Sequence, residues 1–404
     1  MRVHRTQLKV LISGAGIAGP ALAWWLHAAG AEVTIVERAP GPRPGGHAVD
    51  IRGAARTIVD RMGLMPATLA NRVDERGFAL VDERGRRLAS MPATLFGGEG
   101  IVAEIEISRG DLTRILIDAT WNRAVYRYGD RITTLTQDNN GVDVTFDSGG
   151  TERYDIVVGA DGVHSGVRAL AFGPEADFVR PLGGYGALFT VPDPGDLDRW
   201  FLMFNAVGGR VAGLRPERAG TAKASLSFRT NESLGRLDRA DQQRLLTERF
   251  AGVGWRVPSF LAALPDANDF FFDSIDQVHV DRWHRGRVVL LGDAGYCGSP
   301  LAGLGTSMAL VGAYVLAGEL AEAGSPTDAF TRYQQAMAAY VADGTQLPPG
   351  GMAGFAPNSR LAIRMRALSM RSMNRWPAKQ LLARHFTKAE AITLNPYPAL
   401  APAG

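Results

Sequence analysis

The chain has 404 residues, 46% of them hydrophobic and 21% charged, which is typical of a soluble globular protein with room for two or more domains. Its 44 basic and 41 acidic residues give a net charge of +3, so the charge gives no reason to expect a nucleic-acid partner. The single cysteine, Cys297, excludes an internal disulfide and predicts a reducing, cytoplasmic location.

The first pattern, over residues 9–38, predicts a strand, a glycine turn, a helix and a second strand. Gly14, Gly16 and Gly19 have the G-x-G-x-x-G spacing that allows a tight turn, close approach of a pyrophosphate, and helix–sheet packing. The second strand ends in Glu37, about 20 residues after the first glycine, where a carboxylate accepts hydrogen bonds from a ribose. These features predict a bound dinucleotide and leave FAD or NAD open.

The next segments supply a loop and a second cation. Residues 39–53 are rich in Gly and Pro, which predicts a loop returning to the nucleotide site, with Arg52 either in that site or merely solvated. A helix is expected over residues 54–62 and a strand near residue 80. Ser108 is a plausible N-cap for a following helix, and Arg109 at its start is placed to meet phosphates.

Two further strand–turn units follow. The first, at 154–168, places Asp161 in a glycine turn and Arg168 on the helix after it. The second, from residue 287, ends on Asp293 and leads through Pro300 and glycines to a helix that ends near residue 320. Between them, residues 178–275 show short alternating strands and one helix at 239–250, which predicts an inserted antiparallel sheet.

The predicted organisation is an α/β fold with a discontinuous dinucleotide-binding domain (1–70, 100–177 and 276–345), whose sheet is parallel. The inserted sheet, with residues 71–99 and 178–275, forms a substrate domain. Residues 330–341 are expected to be helical, and residues 346–404 form a basic C-terminal helical segment, with helix expected over 359–387. No window has the ~20 apolar residues of a membrane span.

Together, the fingerprint at 14–37, GADGVHSGVR at 159–168 and GDAGYCGSPLAGLGTS at 292–307 resemble the class A flavoprotein monooxygenases. This is the family of para-hydroxybenzoate hydroxylase, and the resemblance is to its tetracycline-modifying and aromatic polyketide hydroxylase branch. It implies a Rossmann-like FAD-binding domain. It also implies hydroxylation of an aromatic or polycyclic molecule with NADPH or NADH and O₂, through a flavin C4a-hydroperoxide.

The resemblance also implies roles for individual residues. The first turn would hold the FAD pyrophosphate, Glu37 and Arg38 the adenosine ribose, and Arg109 the phosphates or ribityl chain. Asp161 and Arg168 would support FAD and the transient NAD(P)H encounter, and backbone N–H groups after Pro300 would face flavin N1 and O2. The full set of expected cofactor residues is Gly14, Gly16, Ile17, Ala18, Gly19, Glu37, Arg38, Arg52, Arg109, Val125, Asp161, Arg168, Asp293, Pro300, Gly303, Leu304, Gly305 and Thr306.

Other expectations concern the substrate and the chemistry. Phe189, Phe201 and Met203 are candidate pocket residues, although aromatics at this spacing also suit a plain core. No metal site is expected, because the seven histidines form no H-x-x-x-H pair and the chain has a single cysteine. No catalytic base is assigned. Tyr296 stands where many relatives have a histidine. A monomer or weak homo-oligomer is expected.

Two alternatives stay open. One is a flavin-dependent halogenase, epoxidase or reductase on the same fold, although the W-x-W-x-I-P run of halogenases is absent. The other is a non-catalytic FAD- or NAD-binding regulator, which would not need the inserted segment.

Overall fold

The computed structural model describes residues 7–43, 45–95, 103–218, 220–373 and 392–401. Two large sheets organise them, each with its own apolar core. The fold class predicted from the sequence is confirmed: a parallel α/β unit and an antiparallel sheet, followed by helices near the C-terminus.

The first sheet has six strands. They are β1 (Lys9–Ser13), β2 (Glu32–Glu37), β7 (Val125–Tyr128), β11 (Ile156–Gly159), β17 (His284–Arg285) and β18 (Val288–Leu290), in the order β17-β18-β11-β1-β2-β7. All neighbouring pairs are parallel except β17 with β18. Because parallel strands end at one edge, Ser13 lies beside both Val36 and Gly159, and the loops that follow β1, β2, β11 and β18 emerge together.

Helices and a small sheet cover the two faces of this parallel sheet. The helices of this unit are α1 (Ala18–Ala28), α2 (Ala54–Arg61), α3 (Met65–Ala70), α4 (Arg109–Thr120), α5 (Gly166–Ala171), α8 (Asp293–Tyr296), α9 (Gly305–Glu322) and α10 (Pro326–Gly344). The small antiparallel sheet contains β8 (Ile132–Gln137), β9 (Val142–Phe146) and β10 (Thr151–Tyr154). On β7, Tyr126 bonds Thr120 of α4 while Arg127 pairs with Glu152 of β10, as opposite faces of a strand require.

The second sheet has seven strands. They are β4 (Gly77–Val81), β5 (Arg87–Pro92), β12 (Val179–Pro192), β13 (Trp200–Ala206), β14 (Arg210–Pro216), β15 (Thr221–Arg229) and β16 (Phe271–Val278), in the order β16-β12-β15-β14-β13-β4-β5. β4 and β5 complete this sheet, and we therefore keep residues 71–99 with the substrate domain in the proposed division. β16 continues past the predicted boundary at residue 275, because it pairs with β12 as far as Val278.

Helices α6 (Arg239–Arg249) and α7 (Val257–Ala263) pack on one face of the second sheet. The other face contacts Leu301 and helices α11 (Gly351–Phe355) and α12 (Arg360–Met373). A two-stranded ribbon of β3 (Ala48–Asp50) and β6 (Glu106–Ser108) belongs to neither large sheet. Short 3-10 turns at Glu175–Asp177 and Pro398–Leu400 complete the elements.

Several boundaries differ from the sequence predictions. The loop predicted at 39–53 contains β3, and α7 was not predicted. α10 begins at Pro326 rather than Phe330, because Ser325 caps it by accepting the N–H of Asp328. The predicted helix over 359–387 is described only to Met373; residues 374–391 lie outside the described ranges.

Candidate active site

The glycine turn after β1 is packed so closely that two of its glycines cannot carry a side chain. Gly14 has φ +110°, and a Cβ there would lie 2.4 Å from the carbonyl oxygen of Ala160. A Cβ at Gly19 would lie 2.0 Å from the carbonyl oxygen of Gly14. A Cβ at Gly16 would meet only Nη2 of Arg109, at 3.5 Å, so that face of the turn is open for a ligand to approach.

Ile17 and Ala18 begin the helix that follows this turn. Ile17 is the N-cap residue of α1, and its apolar side chain cannot accept a hydrogen bond. The first N–H groups of α1 are therefore not satisfied by a side-chain cap. An anion at this end would be stabilised by those N–H groups and by the helix dipole. Ile17 and Ala18 are themselves buried.

Glu37 is fixed at the end of β2 by backbone. Its carboxylate accepts the N–H of Ala15 at 3.0 Å and of Ala39 at 2.9 Å, which leaves each oxygen a further lone pair. Arg38 is exposed next to it and lines a shallow cleft with Arg43.

Val125 lies away from this carboxylate. The register of β7 on β2 sets Val125 beside Thr34, at the far end of the strand, and Tyr128 beside Glu37. Val125 was assigned from the resemblance alone, and the residue that the structure brings to Glu37 is Tyr128.

Arg109 is exposed, and its guanidinium has no hydrogen bond or ion pair to another residue in the described ranges. Its backbone N–H donates to the carbonyl of His47 (2.9 Å). Its side chain lies within 4 Å of a Cβ built on Gly46, and its end lies within 4 Å of a Cβ built on Gly16. Its charge reaches two neighbours. Burial, then the Arg109 charge, lowers the pKa of His47 to about 4, while the same charge partly offsets the burial that raises the pKa of Asp293.

Asp161 and Arg168 hold the three loops together. The Asp161 carboxylate accepts hydrogen bonds from the hydroxyls of Ser165 and Ser13 and the N–H of Val167. Arg168 is 0% exposed and donates to the carbonyls of Ala294 (2.9 Å) and Val163. The second motif is therefore bonded to the first through Asp161 and to the third through Arg168. Ser13 was not singled out in the sequence.

Asp293 is the first residue of α8, which follows shortly after β18, and it lies next to the start of α9. Burial raises its pKa, and its Oδ1 lies 3.6 Å from a Cβ built on Gly305. Leu304 gives α9 no side-chain cap, so the first N–H groups of this 18-residue helix are not satisfied by a cap, and the helix begins beside Asp293.

The loop before α9 has a tightly specified backbone. Ser299 has φ +71°, unusual for a residue other than glycine, and its hydroxyl accepts the N–H of Leu301 at 3.1 Å. Pro300 is exposed, and Gly303 has φ +76° with nothing within 4 Å of a Cβ built on it. Thr306 is half-buried in the first turn of α9.

Arg52 joins this end of the site. It is 6% exposed, its guanidinium pairs with Asp50 at 2.6 Å, and its backbone N–H donates to Ser307 Oγ at 3.2 Å. The charge is therefore neutralised locally rather than solvated. Ser307, also buried, is a second residue that was not predicted.

The three candidate substrate residues lie on different faces of the second sheet. Phe201 and Met203 belong to the apolar cluster that includes Leu301, next to Pro300. Phe189 is 0% exposed in the opposite cluster, among Phe250 and other residues of the α6–α7 layer. Phe189 is thus part of a core, and only Phe201 and Met203 remain candidates for a pocket wall.

Tyr296, which replaces the histidine of many relatives, faces inward. Its hydroxyl lies 2.7 Å from that of Tyr333, and burial raises the pKa of Tyr296 to about 12. It therefore packs as a neutral phenol.

Among the described residues, no group of three or more His, Cys, Asp or Glu side chains could hold a metal ion. Within those ranges, no helix has the length and apolar character of a membrane span.

Two observations test whether these residues fit FAD. Gly16 leaves a face of the turn open beside Arg109, whose guanidinium pairs with none of the residues that the structure describes. At the other end, the uncapped start of α9 adjoins Asp293. A phosphate-binding end and an anion-stabilising end on one sheet edge match a dinucleotide that carries a flavin.

Comparison with known proteins agrees with an FAD-binding protein. The FAD binding domain family matches residues 7–336. An uncharacterised protein of Mycobacterium tuberculosis (strain H37Rv) is 42% identical over 354 residues, 86% of this chain and 94% of that protein. A flavin-dependent monooxygenase of Legionella longbeachae is 37% identical over 337 residues, 83% of this chain and 86% of its own.

Among solved structures, the tetracycline destructase Tet(51) is similar with a TM-score of 0.81 and 33% identity, covering 97% of this chain and all of that one. Fold, site and relatives define the class as FAD-dependent monooxygenases. The chain belongs to the FAD binding domain family within the class A flavoprotein monooxygenases, so the resemblance and the FAD cofactor predicted from the sequence are confirmed.

Proposed function

We propose that the protein hydroxylates an aromatic or polycyclic small molecule, using NADPH or NADH as reductant and O₂ as oxygen donor. The observation that carries the proposal is the row of three loops at one sheet edge, of which the third packs at Leu301 against the face of the second sheet that bears a floor of small residues. Bound FAD would supply the oxygen chemistry through its C4a-hydroperoxide, and the chain would position the substrate and exclude water.

The cofactor residues divide into two ends. Gly16 and Arg109 would meet the pyrophosphate, and the free lone pairs of Glu37 would accept the ribose hydroxyls. The N–H groups at the start of α9 would stabilise the negative charge of the reduced ring. Asp161 and Arg168 act in this proposal by holding the loops, because the Asp161 carboxylate and both terminal nitrogens of Arg168 already bond protein groups, while Nε of Arg168 has no hydrogen-bond partner among the described residues.

The substrate floor follows from strand register. Met203 lies opposite Gly213, Gly213 opposite Ser225, and Gly186 opposite Ser227, so these residues share the face that contains Leu301. A Cβ at Gly213 would lie 2.4 Å from Ser225 Oγ and 3.1 Å from the Phe201 ring, so glycine keeps the floor flat.

The polarity of this floor suits an oxygenated ring system. Ser225 and Ser227 are half-buried, and neither side chain makes a hydrogen bond within the described ranges. Their hydroxyls can donate to or accept from carbonyl and phenol groups. The ion pair of Lys223 with Asp269 (2.6 Å) bounds one end, and Met352 packs on Gly184 at the other.

The test is a screen of NADPH and NADH oxidation and O₂ uptake by the yellow holoprotein. Tetracyclines, aromatic polyketides and simple phenols are added in turn, with mass analysis of products. We expect at least one class to accelerate both rates and to gain one oxygen atom. Chloride-dependent products or saturated products would favour a halogenase or a reductase, and a preparation without releasable FAD would contradict the proposal.

A further inference from the structure

A buried cluster of charges lies where the ribbon β3–β6 meets the second sheet. Glu106 of β6 and Glu75, on the segment before β4, have side chains only 1% exposed. Both pair with one guanidinium, Arg215 of β14, at 3.4 Å and 3.0 Å. Glu75, Glu106 and Arg215 are not among the proposed cofactor residues.

The charges of this cluster do not balance. Asp50 lies opposite Glu106 in the ribbon and pairs with Arg52, so among the described residues three carboxylates of this cluster face two guanidinium groups. His47, half-buried beside them, adds no charge, because desolvation and then the Arg109 charge lower its pKa to about 4. Glu217, whose charge also reaches Arg215, has its own partner in Lys223 at 3.5 Å, which pairs with Asp269 as well.

The carboxylate oxygens of the cluster are poorly satisfied. Neither oxygen of Glu75, nor Oε2 of Glu106, has a hydrogen bond to another described residue. Oε1 of Glu106 accepts the N–H of Ala103 at 3.1 Å. Two buried carboxylates that share one cation repel each other, and three of their four oxygens lack a hydrogen bond to a described residue. A proton placed between them reduces both penalties.

We propose that Glu75 and Glu106 form a proton-binding site, in which one proton is shared between the two carboxyls and locks the FAD domain to the substrate-domain sheet. The two groups lie close enough to hydrogen-bond once one of them is protonated. Burial raises the pKa of Glu75 to about 7 and that of Glu106 well above its ordinary range, which agrees with this geometry.

The site reaches the proposed substrate floor through Arg215. Its guanidinium stacks 4.5 Å above the ring of Phe201, and Phe201 packs against Phe78. When the pair loses its proton, the additional negative charge acts on the Arg215 guanidinium and, through it, on the wall of the proposed substrate pocket. The inference goes beyond the proposed reaction and does not depend on it.

Thermal unfolding of the holoprotein between pH 5.5 and 8.5 tests the site. Because the pKa of both carboxyls is raised in the folded state, the stabilisation is complete below the ordinary pKa of glutamate and is lost as pH rises from there toward the raised folded pKa of the pair. We expect the wild-type Tm to fall by about 3 °C across this range. Glu106→Gln leaves two carboxylates for two guanidiniums, so its Tm should not fall there and at pH 8 should equal or exceed that of wild type.

Glu104→Gln is the matched control, because Glu104 is 60% exposed and pairs with Arg56 near the surface. It should keep the wild-type decline. The same decline in Glu106→Gln and wild type, or a folded Glu106→Gln that is less stable than wild type at pH 8, would overturn the proposal.

A second measurement needs no variant. Infrared spectra of wild-type holoprotein should show a protonated carboxyl band at pH 6 that weakens as pH rises into the alkaline range. Absence of that change overturns the shared proton even if Glu106→Gln fails to fold. Flavin content, recorded in parallel, separates this result from a failure of the proposed function.

Discussion

At the scale of single residues, substitutions at Gly16 and Gly19 separate an effect on packing from an effect on ligand binding. In Gly19→Ala the new Cβ would overlap the Gly14 carbonyl oxygen, a backbone atom that cannot move cheaply, so we expect loss of several degrees in the Tm of the apoprotein. Gly16→Ala meets only the end of Arg109, so the apoprotein should unfold within about 1 °C of wild type while flavin content falls. Gly324→Ala, with nothing within 4 Å, is the control. Equal flavin loading of Gly16→Ala and wild type would contradict the placement of the pyrophosphate.

Arg109 separates charge from structure in the same way. Arg109→Gln removes a cation that no other described residue uses, so we expect an unchanged fold and an FAD Kd raised about 10- to 100-fold. Flavin fluorescence titration at two salt concentrations measures this change. Arg114→Gln, on the same helix but paired with Asp111, should bind FAD as wild type does. A similar Kd for both variants would remove Arg109 from the phosphate site.

At the scale of elements, prediction succeeded where a pattern is local. The capping of α4 by Ser108 and the strand–glycine–helix unit at Gly14 depend on neighbouring residues, and both are present. Arg168 shows the limit: its role as a buried tie to Ala294 depends on a contact 126 positions away in the chain. The separation of Phe189 from Phe201 likewise depends on which face each strand turns to the loop at 300.

His164 links two elements by charge. Its imidazole lies 3.1 Å from Glu175, after α5, and 3.1 Å from Asp273 of β16; hydrogen bonding to Asp273 raises its pKa to about 9. Since the folded pKa exceeds the unfolded one, this stabilisation is complete below pH 6.5 and is lost as pH rises through about 9. The groups are 36–47% exposed, so we expect His164→Gln to lower Tm by only about 2 °C at pH 6.5 and not at all near pH 10. His27→Gln, exposed on α1, is the control; a pH-independent difference would refute the charge link.

At the scale of the whole molecule, the parallel sheet brings distant sequences into one row. The order β18-β11-β1-β2 sets the loops at 14, 160 and 292 side by side, and Gly292 approaches Ala18 of α1 and Ala309 of α9. The sequence shows the three motifs but does not show how close together they lie in the folded protein. The row became predictable because parallel strands must end at the same edge.

A single long ligand should therefore act on both ends of this row at once. We expect FAD to slow amide hydrogen exchange both at residues 14–19 and at residues 303–307, because one molecule would contact the glycine turn and the start of α9. AMP, which has the adenosine and one phosphate but no flavin ring, should protect the first segment and leave the second unchanged. The α6–α7 layer, on the far face of the second sheet, serves as an internal control and should not respond to either ligand. If FAD protects only one of the two segments, or if AMP protects both equally, the two loops do not bind opposite ends of one cofactor.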